Sequence, residues 1–137
     1  MAGGEGTRLR PMTANQPKPL LPVANRPIME HVLRLLKKHG FEETVVTVQF
    51  LAALVRNYFG DGEDVGMFLQ YATEEMPLGT AGSVKNAEDA LKDSPFLVIS
   101  GDALTDMDLT EMCRFHKENG ALVTVGLTRV PDRKSVV

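Results

Sequence analysis

Residues 44–49 read Thr44-Val45-Val46-Thr47-Val48-Gln49, five β-branched side chains in succession closed by an amide. Such side chains are stiff at χ1 and pack well on a pleated surface, so the run predicts a short strand. On its N-terminal side, Ile28, Met29, Val32, Leu33, Leu35 and Leu36 fall on one helical face within residues 28–39. Pro27 suits the first turn of that helix, and Lys37, Lys38 and Gly40 suit its end. On the C-terminal side a second helix is expected over residues 51–59, stopped by Gly60-Asp61-Gly62.

The alternation continues outward. A strand is expected over residues 67–72, a helix over 80–91 and a buried strand over Phe96-Leu97-Val98-Ile99-Ser100. A helix over residues 109–119 follows Asp108, whose side chain suits an N-cap with Glu111 three residues on; Gly120 ends it. A last strand is expected over residues 122–128. Strands alternating with helices predict parallel pairing with helices covering the sheet, hence a three-layer, Rossmann-like α/β fold.

A glycine-rich phosphate loop normally follows a strand, yet only Met1 and Ala2 precede Gly3. The last strand runs into Val130-Pro131-Asp132-Arg133-Lys134-Ser135-Val136-Val137 without completing another unit. The expectation is one partial domain, residues 1–137, incomplete at both ends. Open backbone beside the absent strand would favour marginal stability or self-association.

With 137 residues, 43% hydrophobic and 24% charged, the chain has ordinary globular composition. Fifteen Lys and Arg against 18 Asp and Glu give a net charge of −3, which argues against bulk electrostatic binding of nucleic acid. No apolar run approaches the ~20 residues that span a bilayer, and no secretory signal is visible. A single cysteine, Cys113, forms no internal disulfide and reads as core on the last helix. These features predict a cytoplasmic protein.

Gly3, Gly4 and Gly6 allow close backbone approach to an anion, or simply a tight turn. The loop is not a Walker A motif, because Gly6-Thr7-Arg8 replaces Gly-Lys-Ser/Thr, and Leu9 breaks the dinucleotide fingerprint. That break sets aside a dinucleotide-dependent oxidoreductase. Arg8, Arg10 and Lys18 follow within a segment stiffened by Pro11, Pro17, Pro19 and Pro22, so several cations stand near the loop. His31, His39 and His116 are separated by whole elements, which disfavours a zinc site.

The run Gly3-Gly4-Glu5-Gly6-Thr7-Arg8-Leu9-Arg10-Pro11, with Thr13 and Pro17-Lys18-Pro19-Leu20-Leu21-Pro22, resembles the signature of the sugar-1-phosphate nucleotidyltransferases. Asn25-Arg26-Pro27-Ile28-Met29-Glu30-His31, Pro77-Leu78-Gly79-Thr80-Ala81-Gly82 and Ser100-Gly101-Asp102 agree in order. The resemblance implies attack of a sugar 1-phosphate on the α-phosphorus of a nucleoside triphosphate, releasing pyrophosphate. It implies catalytic roles for Arg8, Lys18 and Asp102, with Asp102 holding Mg²⁺. It implies nucleotide contacts from Ala2, Gly3, Gly4, Gly6, Thr7, Arg8, Glu74, Pro77, Gly79, Thr80 and Gly101. Asp106 and Asp108 read instead as turn and cap.

Within that resemblance, Glu74 occupies the base-reading position, where thymidylyl- and uridylyl-transferring relatives often carry Gln. A carboxylate only accepts hydrogen bonds and suits the N1–H and N2–H donors of guanine. The count allows Glu75 in its place, and either residue also reads as an exposed acidic turn. The implied substrates are GTP and mannose 1-phosphate. Two alternatives stand beside this: a thymidylyl- or uridylyl-transferring glucose-1-phosphate enzyme, and a nucleotide-binding module without turnover. Weak or no turnover is expected of residues 1–137 alone, and homo-oligomerisation is left open.

Overall fold

The computed structural model describes residues 1–4, 6–91 and 94–129; Glu5 of the glycine loop and the terminal segment from Val130 lie outside them. The described residues fall into two compact units, one spanning residues 1–106 and the other starting at Met107.

In the first unit, 3-10 turns at Thr7–Leu9 and Lys18–Leu20 lead into a two-residue hairpin of β1 (Pro22–Val23) and β2 (Arg26–Pro27). Ala24 and Asn25 at its tip both take positive φ, as a type I′ turn demands. Helix α1 (Ile28–Lys38) follows directly and buries Ile28, Met29, Val32, Leu33 and Leu36 of the expected stripe, with Leu35 half-buried at its edge. It ends in a Schellman arrangement: the Gly40 N–H donates to the Lys37 carbonyl and the Phe41 N–H to that of Leu36.

β3 (Glu43–Val48) and β4 (Phe68–Thr73) form a parallel pair from Glu43 opposite Phe68 to Val48 opposite Thr73. α2 (Ala52–Phe59) connects them and buries Val55 and Phe59, one turn apart. Val46, Val48 and Leu69 put β-branched and aliphatic surface into the core, and α3 (Gly79–Asn86) packs against β3.

Three secondary-structure expectations need correction. The helix expected through residue 91 ends at Asn86 and gives way to a 3-10 turn at Glu88–Ala90. There Ala87 turns inward, and the Asn86 side-chain amide donates to the Thr73 carbonyl, tying the end of α3 to the end of β4. Residues 96–100 form no strand ladder. Their hydrogen-bonded neighbour is Met1, whose ammonium donates to the Ile99 carbonyl at 3.0 Å and whose carbonyl accepts from Gly101 N–H at 2.7 Å. That neighbour covers the end of the segment, so Phe96 and Val98 remain half-exposed.

In the second unit, α4 (Leu109–Glu118) begins as expected, with the Asp108 carboxylate accepting from the Glu111 N–H at 2.9 Å. The Glu111 carboxylate is held by Arg114. The third correction is the strand expected over residues 122–128, which pairs with no described residue. Leu122 is fully exposed and Leu127 nearly so. The segment passes back along its own helix, with Thr124 hydrogen-bonded to His116 at 2.9 Å and Gly126 against Met107 and Met112. Alternation supplied the pattern of a strand, but a ladder also needs a neighbour. Cys113, expected in the core, is half-buried. No helix among the described residues is long and apolar enough to cross a membrane.

Candidate active site

The C-terminal ends of β3 and β4 open onto a cleft of about 360 Å³. The chain start forms one wall. Ala2 is buried, its N–H donating to the Thr47 carbonyl at 2.9 Å, and Gly3 passes beside Gln49 and Glu74. A β-carbon on Gly3 would stand 3.8 Å from Glu74 Oε1 and 3.4 Å from Gln49 Cβ. Gly4 also lines the cleft, while its own Cβ position is open.

Glu74 follows β4 immediately and is 7% exposed. Its N–H extends the ladder onto the Val48 carbonyl, and its Oε1 is buried without a hydrogen-bond partner among the described residues. Glu75 is exposed, so the geometry separates the two acids. An unpartnered buried carboxylate oxygen is costly unless something donates to it. The opposite lip is the start of α3, where Pro77, Leu78, Gly79, Thr80 and Ser83 line the cleft. First-turn N–H groups have no intrahelical partner and favour an anion there. The Ser83 hydroxyl donates back to the Gly79 carbonyl at 2.8 Å.

Asp102 closes the floor. Gly101 brings it there by close approach: a Cβ on Gly101 would stand 3.0 Å from the Met1 carbonyl oxygen. Burial acts to raise the Asp102 pKa, but a hydrogen bond from Ser100 and the Lys18 ammonium outweigh it and hold the carboxyl below its usual range. Lys18 Nζ stands 2.9 Å from Asp102 Oδ2, with the two side chains 32% and 31% exposed. The proline frame explains its placement, since Pro17 and Pro19 are fully buried and direct the lysine between them outward. Burial pushes the Met1 amine pKa down, against the opposing pull of Asp102 and Glu74.

The cleft therefore gathers Ala2, Gly3, Gly4, Glu74, Pro77, Gly79, Thr80 and Asp102 from the expected set. Lys18 joins through its ion pair, and Gly101 stands behind the floor. Gly6, Thr7 and Arg8 do not line it; Thr7 and Arg8 are exposed on the first 3-10 turn. Gly6 has φ +62° and packs between Thr13 and Lys18, where a Cβ would meet them at 3.0 and 3.2 Å; the Thr13 hydroxyl donates to the Gly6 carbonyl at 2.8 Å. Sequence reasoning missed Gln49, Ser83 and Ser100 as lining residues. Gln49 and Ser100 each end a β-branched or aliphatic run, and that position at the mouth of an α/β sheet was a usable signal.

Among the described residues no three His, Cys, Asp or Glu groups converge as a metal cluster. Asp102 still fits Mg²⁺ in kind, because that ion binds hard oxygen and commonly takes one or two carboxylates, with phosphates and water completing its shell.

Parallel strands opening at their C-terminal ends onto a glycine-walled cleft define an α/β protein of the Rossmann-like class. The chain belongs to the nucleotidyl transferase family, whose model matches residues 1–135. It is 39% identical over 135 residues to a mannose-1-phosphate guanylyltransferase of Mycobacterium tuberculosis (98% of this chain, 38% of the relative). It is also 39% identical over 143 residues to a UTP–glucose-1-phosphate uridylyltransferase of Synechocystis (96% and 37%). The crystal structure of HddC from Yersinia pseudotuberculosis complexed with GMP-PN superposes with a TM-score of 0.75 at 27% identity, covering 84% of this chain and 51% of that one. The chain spans less than two-fifths of the length of these two curated relatives.

Proposed function

We propose that this chain supplies the nucleotide-binding part of a sugar-1-phosphate nucleotidyltransferase, with GTP as nucleotide and mannose 1-phosphate as acceptor. The observation that carries the base assignment is Glu74 Oε1, buried in the cleft and lacking a donor among the described residues. Guanine offers two adjacent N–H donors to a carboxylate, and a neighbouring pair is what a single Glu recognises best. Equal identity to a guanylyl- and a uridylyl-transferring relative leaves the choice to the cleft chemistry.

In the reaction, an anionic oxygen of the sugar 1-phosphate forms a bond to the α-phosphorus. The bond to the bridging oxygen of the β-phosphate breaks, and pyrophosphate leaves with both electrons. The attacking oxygen is already deprotonated, so positioning and charge neutralisation carry the catalysis rather than a protein base. Lys18 meets the phosphates at the reacting centre, the α3 N-terminus adds N–H donors, and Arg8 steadies the leaving pyrophosphate from the first turn. Asp102 holds Mg²⁺, which when bound neutralises phosphate charge. The setting is cytoplasmic, where triphosphates and sugar phosphates are available.

The test is calorimetric titration of the folded chain with GTP, UTP, dTTP and ATP, with and without Mg²⁺. Preferential, Mg²⁺-strengthened GTP binding that disappears in Glu74→Gln is the expected result. Preference for UTP or dTTP would replace the base assignment with the glucose-1-phosphate alternative. Triphosphate binding without turnover on addition of mannose 1-phosphate would leave residues 1–137 as a binding module.

A further inference from the structure

Glu74 is 7% exposed, and its Oε1 has no hydrogen-bond partner among the described residues, so no described donor at that atom holds the carboxylate in the cleft. A carboxylate gains hydrogen bonds by turning to water, and something must oppose that turn. The restraint lies in the backbone just before it. The peptide unit joining Thr73 to Glu74 is held at both edges. Its N–H, that of Glu74, donates to the Val48 carbonyl of β3 at 2.8 Å, and its carbonyl, that of Thr73, accepts from the Asn86 side-chain amide of α3 at 3.2 Å. A peptide unit is planar, so bonds at its two opposite edges fix its rotation about the chain. That rotation sets φ of Glu74, and with it the direction in which the side chain leaves the backbone.

The Thr73 side chain is held as well. The Arg56 guanidinium of α2 donates to Thr73 Oγ1 and lies 5.1 Å from the centre of the Tyr71 ring, whose hydroxyl donates to the Gly60 carbonyl. Side chains alternate along a strand, so Tyr71 and Thr73 face α2 and Glu74 is turned to the opposite face, where Gly79, Thr80 and Ser83 of α3 line the cleft. One helix thus supplies a lip of the cleft from its first residues and the donor behind Glu74 from its last. Asparagine is a poor helix residue because its amide competes for backbone groups; here the amide leaves its own helix and crosses to β4. The bond faces solvent, where water can replace a lost donor, so it adds little to global stability. Water does not replace a fixed direction.

We infer that Asn86 is a positioning residue for base recognition: by holding the Thr73 carbonyl it aims the Glu74 carboxylate so that both oxygens meet the two adjacent N–H donors of a guanine edge. The inference rests on the guanine reading of Glu74 given above. A misaimed carboxylate still accepts one N–H bond, so loss of the Asn86 donor erases discrimination rather than binding.

The test uses Asn86→Leu, which keeps the reach of the side chain and improves helix propensity while removing the donor, and Asn86→Ala beside it. The whole chain is titrated calorimetrically with GTP and with inosine triphosphate, which lacks the 2-amino donor, at fixed Mg²⁺. The wild-type chain is expected to prefer GTP about tenfold or more, the worth of one hydrogen bond to a charged group. Both variants are expected to bring that ratio within about threefold, with inosine triphosphate affinity and thermal midpoint nearly unchanged. Without nucleotide, amide exchange at Glu74 is expected to speed up about tenfold, and that at Phe68, the far end of β4, to stay as it is. A GTP preference that survives in both variants would overturn the role of Asn86 and leave the base reading standing. Equal loss of affinity for both triphosphates would make Asn86 a structural tie alone, which also overturns it. Wild-type binding of the two triphosphates alike would sink the base reading itself, and this inference with it.

Discussion

Lys18 Nζ and Asp102 Oδ2 stand 2.9 Å apart, joining the proline-framed turn to the floor of the cleft at the ends of β3 and β4. Against partial burial, a hydrogen bond from Ser100 and this pair together hold the Asp102 carboxyl ionised below its ordinary range. A depressed carboxyl pKa adds stability that is fully present above the unfolded value of about 3.9 and is lost as pH falls through the folded value. Asp102→Asn should therefore lose stability at pH 7 and show a flatter acid limb below about pH 4. Urea unfolding of both proteins at pH 7, 4 and 3 checks this, and parallel acid limbs would contradict it.

Gly6→Ala and Gly4→Ala should differ sharply. At Gly6 a β-carbon meets Thr13 and Lys18 in a left-handed conformation, whereas at Gly4 it meets nothing within 4 Å. Gly6→Ala is expected to cost about 1–3 kcal/mol and Gly4→Ala well under about 1 kcal/mol. Thermal unfolding of the pair decides the matter; equal losses would contradict it.

Thr13→Val tests the bond that fixes the loop. Thr13 is 1% exposed and its hydroxyl donates to the Gly6 carbonyl. Removing the donor is expected to cost about 1–2 kcal/mol and to speed exchange in the residues around Gly6. Unchanged exchange there would show that the loop is held by packing alone.

Leu33→Ala in α1 is expected to cost about 2–5 kcal/mol, because Leu33 is fully buried at the centre of the helix stripe. Leu35→Ala, on the half-buried edge of the same helix, should cost less than half as much. Denaturant midpoints of the two variants at equal slope provide the comparison.

Asp108→Ala should weaken α4 by about 1 kcal/mol through loss of the Glu111 N–H acceptor. Amide exchange in the first turn of α4 reads this directly. A loss spread evenly over residues 1–106 would contradict a local cap.

Much of this was legible in local pattern. Five β-branched residues announced β3, the stripe from Ile28 to Leu36 announced α1, and Asp108 with Glu111 announced the start of α4. The strands expected at residues 96–100 and 122–128 failed for one shared reason: composition records a suitable surface, while a ladder depends on which backbone lies alongside. Asn86 ended α3 early through a contact with Thr73 that no helical periodicity encodes. In the site, the family signature put Lys18, Glu74 and Asp102 on the page, and distance alone paired Lys18 with Asp102. Gln49 lies outside every motif, and Ser100 stands in one whose aspartate carries the chemistry, so only their places at strand ends mark them as lining residues.

The hydrogen bond from the Met1 ammonium to Ile99 spans a sequence separation of 98 residues. Contacts that distant are made late, because closing a long loop costs entropy before any contact rewards it, whereas α1 and its hairpin assemble from neighbours. On a ribosome the glycine wall of the cleft emerges well before its floor and waits for it. A cleft complete in walls and floor is consequently a mark of finished folding: an intermediate holding every helix of the first unit but not yet docked at Ile99 and Asp102 would look structured and yet have no closed cleft.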